Sequence, residues 1–308
     1  MTTSSPSENA AAKGERIAKV LARAGVCSRR DAERMIEAGR ISVNGKVLES
    51  PALNVTGKDK ILVDGNPLPA SEPTRLWRYH KPRGQVTTAR DPEGRPTVFD
   101  ALPKELPRVI SVGRLDVNTE GLLLLTNDGE LARKLELPAT GWARRYRVRA
   151  HGRTDQAKLD ALQKGIVVEG VRYGPIQARL EREQGANIWL TMTLREGKNR
   201  EIKRVLEALN LKVNRLIRIS FGPFQLGDMA EGEVSEVPPR ILADQLGETD
   251  REKNKAPTTG RAKAKPKPGK AKPRTGKPAG KAGDAAAPAK SKRKAPSKDG
   301  KRNADRRR

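Results

Sequence analysis

One nine-residue stretch of the 308-residue chain combines a single aspartate, a cation two positions before it and a glycine at each end: Gly113-Arg114-Leu115-Asp116-Val117-Asn118-Thr119-Glu120-Gly121. An aspartate in such a loop can hold a turn, cap a helix or, when ionised, attack an electrophilic carbon. Spacing alone leaves those readings open for Asp116. Asp128 is more simply a cap for the helical ELARKLEL that follows it. Other chemistries find little support. One cysteine, Cys27, and two histidines cannot furnish a Cys/His zinc cluster or an intramolecular disulfide. His80 and His151 stand too far apart for paired acid/base work and read as structural or surface residues, and Cys27 reads as a small buried hydrophobe. No phosphate-binding P-loop or convincing dinucleotide fingerprint is present, so no metal or cofactor is expected.

The elements that must position Asp116 follow from periodicity. Leu122–Thr126 is too uniformly aliphatic to own a solvated face, so it should be a strand inside a sheet, anchoring the loop before it. TRLWRYHKPRGQVTT reads as a strand broken at Lys81-Pro82 and Gly84, and DPEGRPTVFDAL as a turn followed by a short helix. Nearer the N-terminus, Ile17, Val20, Leu21 and Ala24 form the stripe of a short helix ending at Gly25. Ser28 and Asp31 have capping spacing for a second helix, which stops at Gly39, and Asn44-Gly45 marks a tight hairpin. Two helices followed by strands make a small α+β module. Arg16, Lys19, Arg29, Arg30, Arg34 and Arg40 give it a basic surface able to meet phosphates.

RIAKVLARAGVCSRRDAERMIEAGRISVNGKVL resembles the S4 RNA-binding domain. GRLDVNTEGLLLLTNDGELARKL, with KPRGQVTTARDPEGRPTVFD before it and ARRYRVRA and LREGKNREIKRVLEAL after it, resembles the RsuA/RluB group of pseudouridine synthases over roughly Trp77 to Val237. The wording of DPEGRPTVFD and EGKNREIKRV is most similar to the branch acting on large-subunit ribosomal RNA. The resemblance implies that Asp116 is the nucleophile and that Tyr146 stacks on the target base, with Arg144 standing where the family has lysine. It implies that Lys203 pairs with Asp116. Arg114, Lys198, Arg200 and Arg204 are the implied RNA contacts around them.

The helical periodicity of Asn199–Leu209 bears on the Lys203 assignment. Ile202, Val205, Leu206 and Leu209 make its apolar stripe; at about 100° per residue Lys203 falls on the stripe's margin and Arg204 on its far side. Lys203 is thus placed to lean into a cleft, and Arg204 to face solvent or a phosphate. An opposite charge that close favours the carboxylate form of Asp116, which a nucleophile requires. Either the ribose or the base of a uridine could receive the attack.

The formal charge of +26 points to a polyanionic partner. Most of it lies in residues 251–308, where 22 Lys plus Arg face 4 Asp plus Glu, for +18, with no Val, Ile, Leu, Phe, Met, Tyr, Trp or Cys. Such a segment has nothing with which to build a core and is expected to be a disordered polycationic tail. The expected organisation is a disordered N-terminus (1–14), an S4-like RNA-binding domain (15–65), a linker (66–75), a catalytic domain (76–246) and the disordered basic tail (247–308). The fold class is α+β, the catalytic domain carrying a mixed, largely antiparallel sheet with flanking helices. The expected function is site-specific isomerisation of uridine to pseudouridine in large-subunit ribosomal RNA or its precursor. The alternatives are a noncatalytic ribosome-assembly factor that holds ribosomal RNA, or a synthase acting on small-subunit RNA or tRNA. With no apolar leader and no long aliphatic run, the chain is expected to be a cytoplasmic monomer with no membrane contact.

Overall fold

The computed structural model describes residues 14–137 and 140–246; the N-terminal and tail segments expected to be disordered lie outside the described residues, apart from Gly14. The first module runs β1 (Glu15–Arg16), α1 (Ile17–Arg23), α2 (Arg29–Glu37), β2 (Ile41–Val43), β3 (Lys46–Val47), β4 (Asn54–Val55), β5 (Ile61–Val63) and β6 (Asn66–Pro67). Ile17, Leu21, Ala32, Ile36 and Ile41 form its core. Ser28 Oγ accepts from the Asp31 N–H, as the capping spacing requires. Asn44 and Gly45 both take positive φ (52° and 82°), which a two-residue hairpin turn of this hand needs. Two expectations change. Cys27 is only half-buried, packed at the edge of this core. Asn66 and Pro67 are not linker: they pair with Val63 and Leu62, so the module's sheet extends to Pro67.

The second module runs β7 (Leu76–Lys81), β8 (Ile110–Val112), β9 (Thr119–Thr126), α3 (Gly129–Glu136), β10 (Arg144–His151), α4 (Gln156–Asp160), β11 (Ile166–Val168), β12 (Val171–Tyr173), β13 (Ile176–Gln184), β14 (Asn187–Leu194), α5 (Glu201–Ala208), β15 (Lys212–Phe221), β16 (Phe224–Gln225), β17 (Val234–Glu236) and α6 (Pro239–Leu246). Its main sheet has the order β13-β14-β10-β15-β9-β7-β17, with β16 on β15 and β8 on β9. Only the β9–β15 pairing is parallel, so the sheet is mixed and largely antiparallel.

All eight residues of β9 are buried, because the strand lies inside the sheet with both faces covered. Leu123 and Leu125 join one core, with Val148, Leu190, Val205 and Leu206; Leu122 and Leu124 join the other, under α3 and α6. Each such leucine contributes about 2 kcal/mol of burial. The strand begins earlier than its aliphatic run, at Thr119, which shortens the Asp116 loop to Gly113–Asn118. The short helix expected after DPEGRP does not form. Asp100 Oδ2 accepts from both Thr97 N and Thr97 Oγ1, and separate turns close at Phe99–Leu102 and Pro103–Leu106. Pro103 has no N–H to continue a helical ladder. Among the described residues no helix is long and apolar enough to cross a membrane.

Candidate active site

The Asp116 loop is held by its backbone. Thr87 Oγ1 donates to Leu115 O (2.9 Å) and accepts from Leu115 N (3.3 Å). Thr119 N donates to Asp116 O at 2.9 Å, and Gly84 N to Val117 O at 2.8 Å. Beneath the loop lies Lys81, the last residue of β7, with no exposed surface. Its Nζ donates to Pro82 O (2.9 Å), Thr119 O (2.9 Å) and, more weakly, Val117 O (3.4 Å). Burial pushes the Lys81 ammonium down to about 8, while Glu120 and Asp116 pull the other way. Three carbonyls thus absorb the three N–H bonds of a charge with no direct carboxylate partner.

Above this base opens a cleft of about 850 Å³ whose lining includes Asp116, Tyr146, Lys203, Leu216 and Arg218. Asp116 comes from the loop before β9, Tyr146 from β10 and Lys203 from α5. Lys203 Nζ, leaning from the margin of the α5 apolar stripe, donates to Asp116 Oδ2 at 3.0 Å, and both side chains are at least partly shielded from water. Tyr146 is 9 % exposed and sits opposite Met192 and Arg218 in the sheet, so the ring belongs to the core and forms a cleft wall as well. Arg218, 3 % exposed, donates from Nε to Leu122 O at 2.7 Å. Glu201, the first residue of α5, is buried; its Oε2 accepts from Lys198 N at 2.9 Å, and burial pushes the carboxyl upward. Arg144 stands 4.8 Å over the Phe221 ring, its guanidinium pushed downward by burial. Such a cleft offers a planar ligand an aromatic wall, a carboxylate oxygen anchored by an ammonium and flanking cations.

The other expected contacts divide into groups. Arg114, Lys198 and Arg200 line the cleft; Arg204 is half-buried outside it. Lys198 is partly engaged already, with Glu196 at 2.8 Å and Arg172 O at 2.7 Å. On the first module, Arg16, Arg29 and Arg30 are exposed. Lys19 is paired with Glu15 and Glu130, Arg34 with Asp31, and Arg40 bidentately with Asp64, so these three already have protein partners. Lys19 and Arg29 also line a separate cleft of about 770 Å³ with Arg108 and Arg133. His80 is structural, its Nδ1 lying 2.8 Å from Met229 O, and His151 is exposed. Lys81 and Arg218 went unnoticed from sequence. A lysine ending a buried strand just before proline was the available sign for the first; Arg218 alternates with apolar residues in LIRIS as any surface arginine would.

Comparison with known proteins covers both modules. Residues 75–208 match the family described as RNA pseudouridylate synthase, and residues 15–61 match the S4 domain. An uncharacterized RNA pseudouridine synthase of Rickettsia felis is 46% identical, over 74% of this chain and 99% of that protein. Ribosomal large subunit pseudouridine synthase B of Escherichia coli strain K12 is 43% identical, over 79% of this chain and 90% of its own length. A solved crystal structure of a pseudouridylate synthase superposes with a TM-score of 0.53 at 27% identity, covering 75% of this chain and 99% of that one. With relatives this similar matched over nearly their full length, and with an S4 domain preceding the synthase region, the chain belongs to the RNA pseudouridine synthase family.

Proposed function

We propose that this protein isomerises specific uridines of large-subunit ribosomal RNA, or of its precursor, with Asp116 as the nucleophile. The reading rests on one observation above all: Lys203 and Asp116, far apart in sequence, meet at 3.0 Å in a cleft walled by Tyr146. Likeness to large subunit pseudouridine synthase B of Escherichia coli supports the choice of RNA. Isomerisation breaks the bond from uracil N1 to the ribose carbon, turns the base and joins its C5 to the same carbon. The C5 proton leaves and N1 gains one. The target base must leave its stack to reach the carboxylate, and Tyr146 receives its face.

Each part has its own test. Asp116→Asn is expected to abolish tritium release from RNA labelled at uridine C5 while RNA binding stays nearly unchanged; retained turnover would refute the nucleophile. Sequencing ribosomal RNA from a deletion strain should reveal a missing pseudouridine in the large-subunit RNA. Loss from small-subunit RNA or tRNA instead would overturn the substrate, and no loss at all would favour an assembly role.

A further inference from the structure

The catalytic cleft uses one face of the main sheet. On the reverse face β7, β8 and β9 are covered by α3 and α6, through Leu122, Leu124, Leu131, Leu135 and Leu242. The other half, β10, β13 and β14, presents no such apolar row there. Alternation along β10 sends Tyr146, Val148 and Ala150 into the cleft-side core, so Arg145, Arg147 and Arg149 point the opposite way. Register places Arg149 beside Trp189, Arg147 and Arg179 beside Thr191, and Arg182 beside Trp189. Arg145, Arg179 and Arg182 are exposed.

Two of these five guanidiniums stand over one aromatic ring. Arg147 lies 4.6 Å and Arg182 5.8 Å from the centre of the Trp189 ring. One acid, Glu181, interrupts the patch, accepting from Arg147 at 3.1 Å and from the Thr191 hydroxyl. Arg149 Nε and Trp189 Nε1 are buried without an acceptor among the described residues, so the Arg149 guanidinium can turn toward an incoming acceptor without giving up a bond at that nitrogen. Adjacent strands stand about 4.8 Å apart and alternate residues about 6.8 Å apart, the scale on which backbone phosphates follow one another. Guanidinium forks match phosphate oxygens bidentately, and a tryptophan between them offers a stacking plane.

We propose that this reverse face is a second RNA contact: substrate RNA beyond the segment in the cleft lays its phosphate backbone on Arg145, Arg149, Arg179 and Arg182. The inference rests on the family's RNA substrate and not on which RNA is modified. An acidic protein surface is the competing polyanion; planar forks around an indole favour nucleic acid.

The test uses the full chain and a fluorescein-labelled single-stranded 40-nucleotide RNA of arbitrary sequence, so its failure is separable from failure of the ribosomal assignment. Replacing the three exposed arginines together (Arg145→Gln, Arg179→Gln, Arg182→Gln) is expected to weaken binding by about tenfold at 0.1 M KCl. The slope of log affinity against log salt should shallow by about two. The corresponding triple lysine variant should recover most of the affinity. Ultraviolet cross-linking of the wild-type chain needs no variant and should yield RNA-bearing peptides from β10, β13 or β14. Equal affinity and slope for wild type and the glutamine variant, or cross-links confined to the cleft and first module, overturn the proposal. Loss of polyglutamate binding with RNA binding intact also overturns it, in favour of an acidic protein partner.

Discussion

Lys81 Nζ donates to the carbonyl oxygen of Thr119 at 2.9 Å, in a position without solvent exposure, three residues beyond Asp116. The same ammonium holds Pro82 O and Val117 O, so one buried lysine adds its three N–H bonds to the backbone contacts that seat the Asp116 loop.

The pH dependence follows. An ammonium has three N–H bonds for three carbonyls, and a neutral amine has two. With Lys81 pushed down to about 8, kcat/KM should fall as pH rises through that value. Stability should move the other way. Between about 8 and the ordinary lysine value of 10.5 the unfolded chain binds more protons than the folded one, so stability rises with pH across this window. Lys81→Met should lower kcat/KM to a level that no longer changes near pH 8 and should remove the rise in stability; pH–rate profiles and thermal melts of the two proteins, compared at each pH, check this.

Lys203→Met removes the cation 3.0 Å from Asp116 Oδ2. A fall in kcat of about 10²-fold is expected, with circular dichroism unchanged because the side chain sits at the margin of α5. Lys203→Arg should recover part of the loss. Single-turnover tritium release measures both.

Tyr146→Phe keeps the ring and should cost little in substrate capture. Tyr146→Ala removes a stacking surface worth about 1–3 kcal/mol, a drop of roughly fivefold to 150-fold in kcat/KM. Equal losses in the two variants would mean that the hydroxyl, not the ring face, matters.

Gly121→Ala should destabilise the catalytic module severely. Gly121 has φ of +101°, and a Cβ there would overlap the backbone of Arg218, lying 2.7 Å from its nitrogen. The only parallel pairing of the main sheet, β9 with β15, passes through this point. A melting-temperature drop of about 10 °C or more, or insoluble expression, is the expected result.

Removing residues 251–308 removes +18 of the formal charge. RNA affinity should weaken and its salt dependence flatten, while the modified uridine stays the same. Titrations at several KCl concentrations and sequencing of the modified RNA separate affinity from specificity.

Local physics was legible in the sequence. The Asn44-Gly45 turn, the Ser28 and Asp128 caps, the buried run in β9 and the apolar stripe of α5 depend on neighbours a few residues away, and each formed as expected. Helical periodicity even placed Lys203 on the side of α5 from which it reaches Asp116. Tertiary structure decided what depends on distant partners. Lys19, Arg34 and Arg40 look like free cations in sequence, yet carboxylates seat them. The helix expected after DPEGRP gave way to turns held by Asp100 and stopped at Pro103. Lys81 and Arg218 carry no periodic signal, since their roles come from carbonyl groups brought near by strand pairing. The sequence by itself determined the elements and nominated Asp116, Tyr146 and Lys203 through resemblance. Only the sheet, by laying β9 beside β15 and β15 beside β10, brought an aspartate, a tyrosine and a lysine from three separate elements to one cleft, because convergence across 87 residues is a property of packing and not of local spacing.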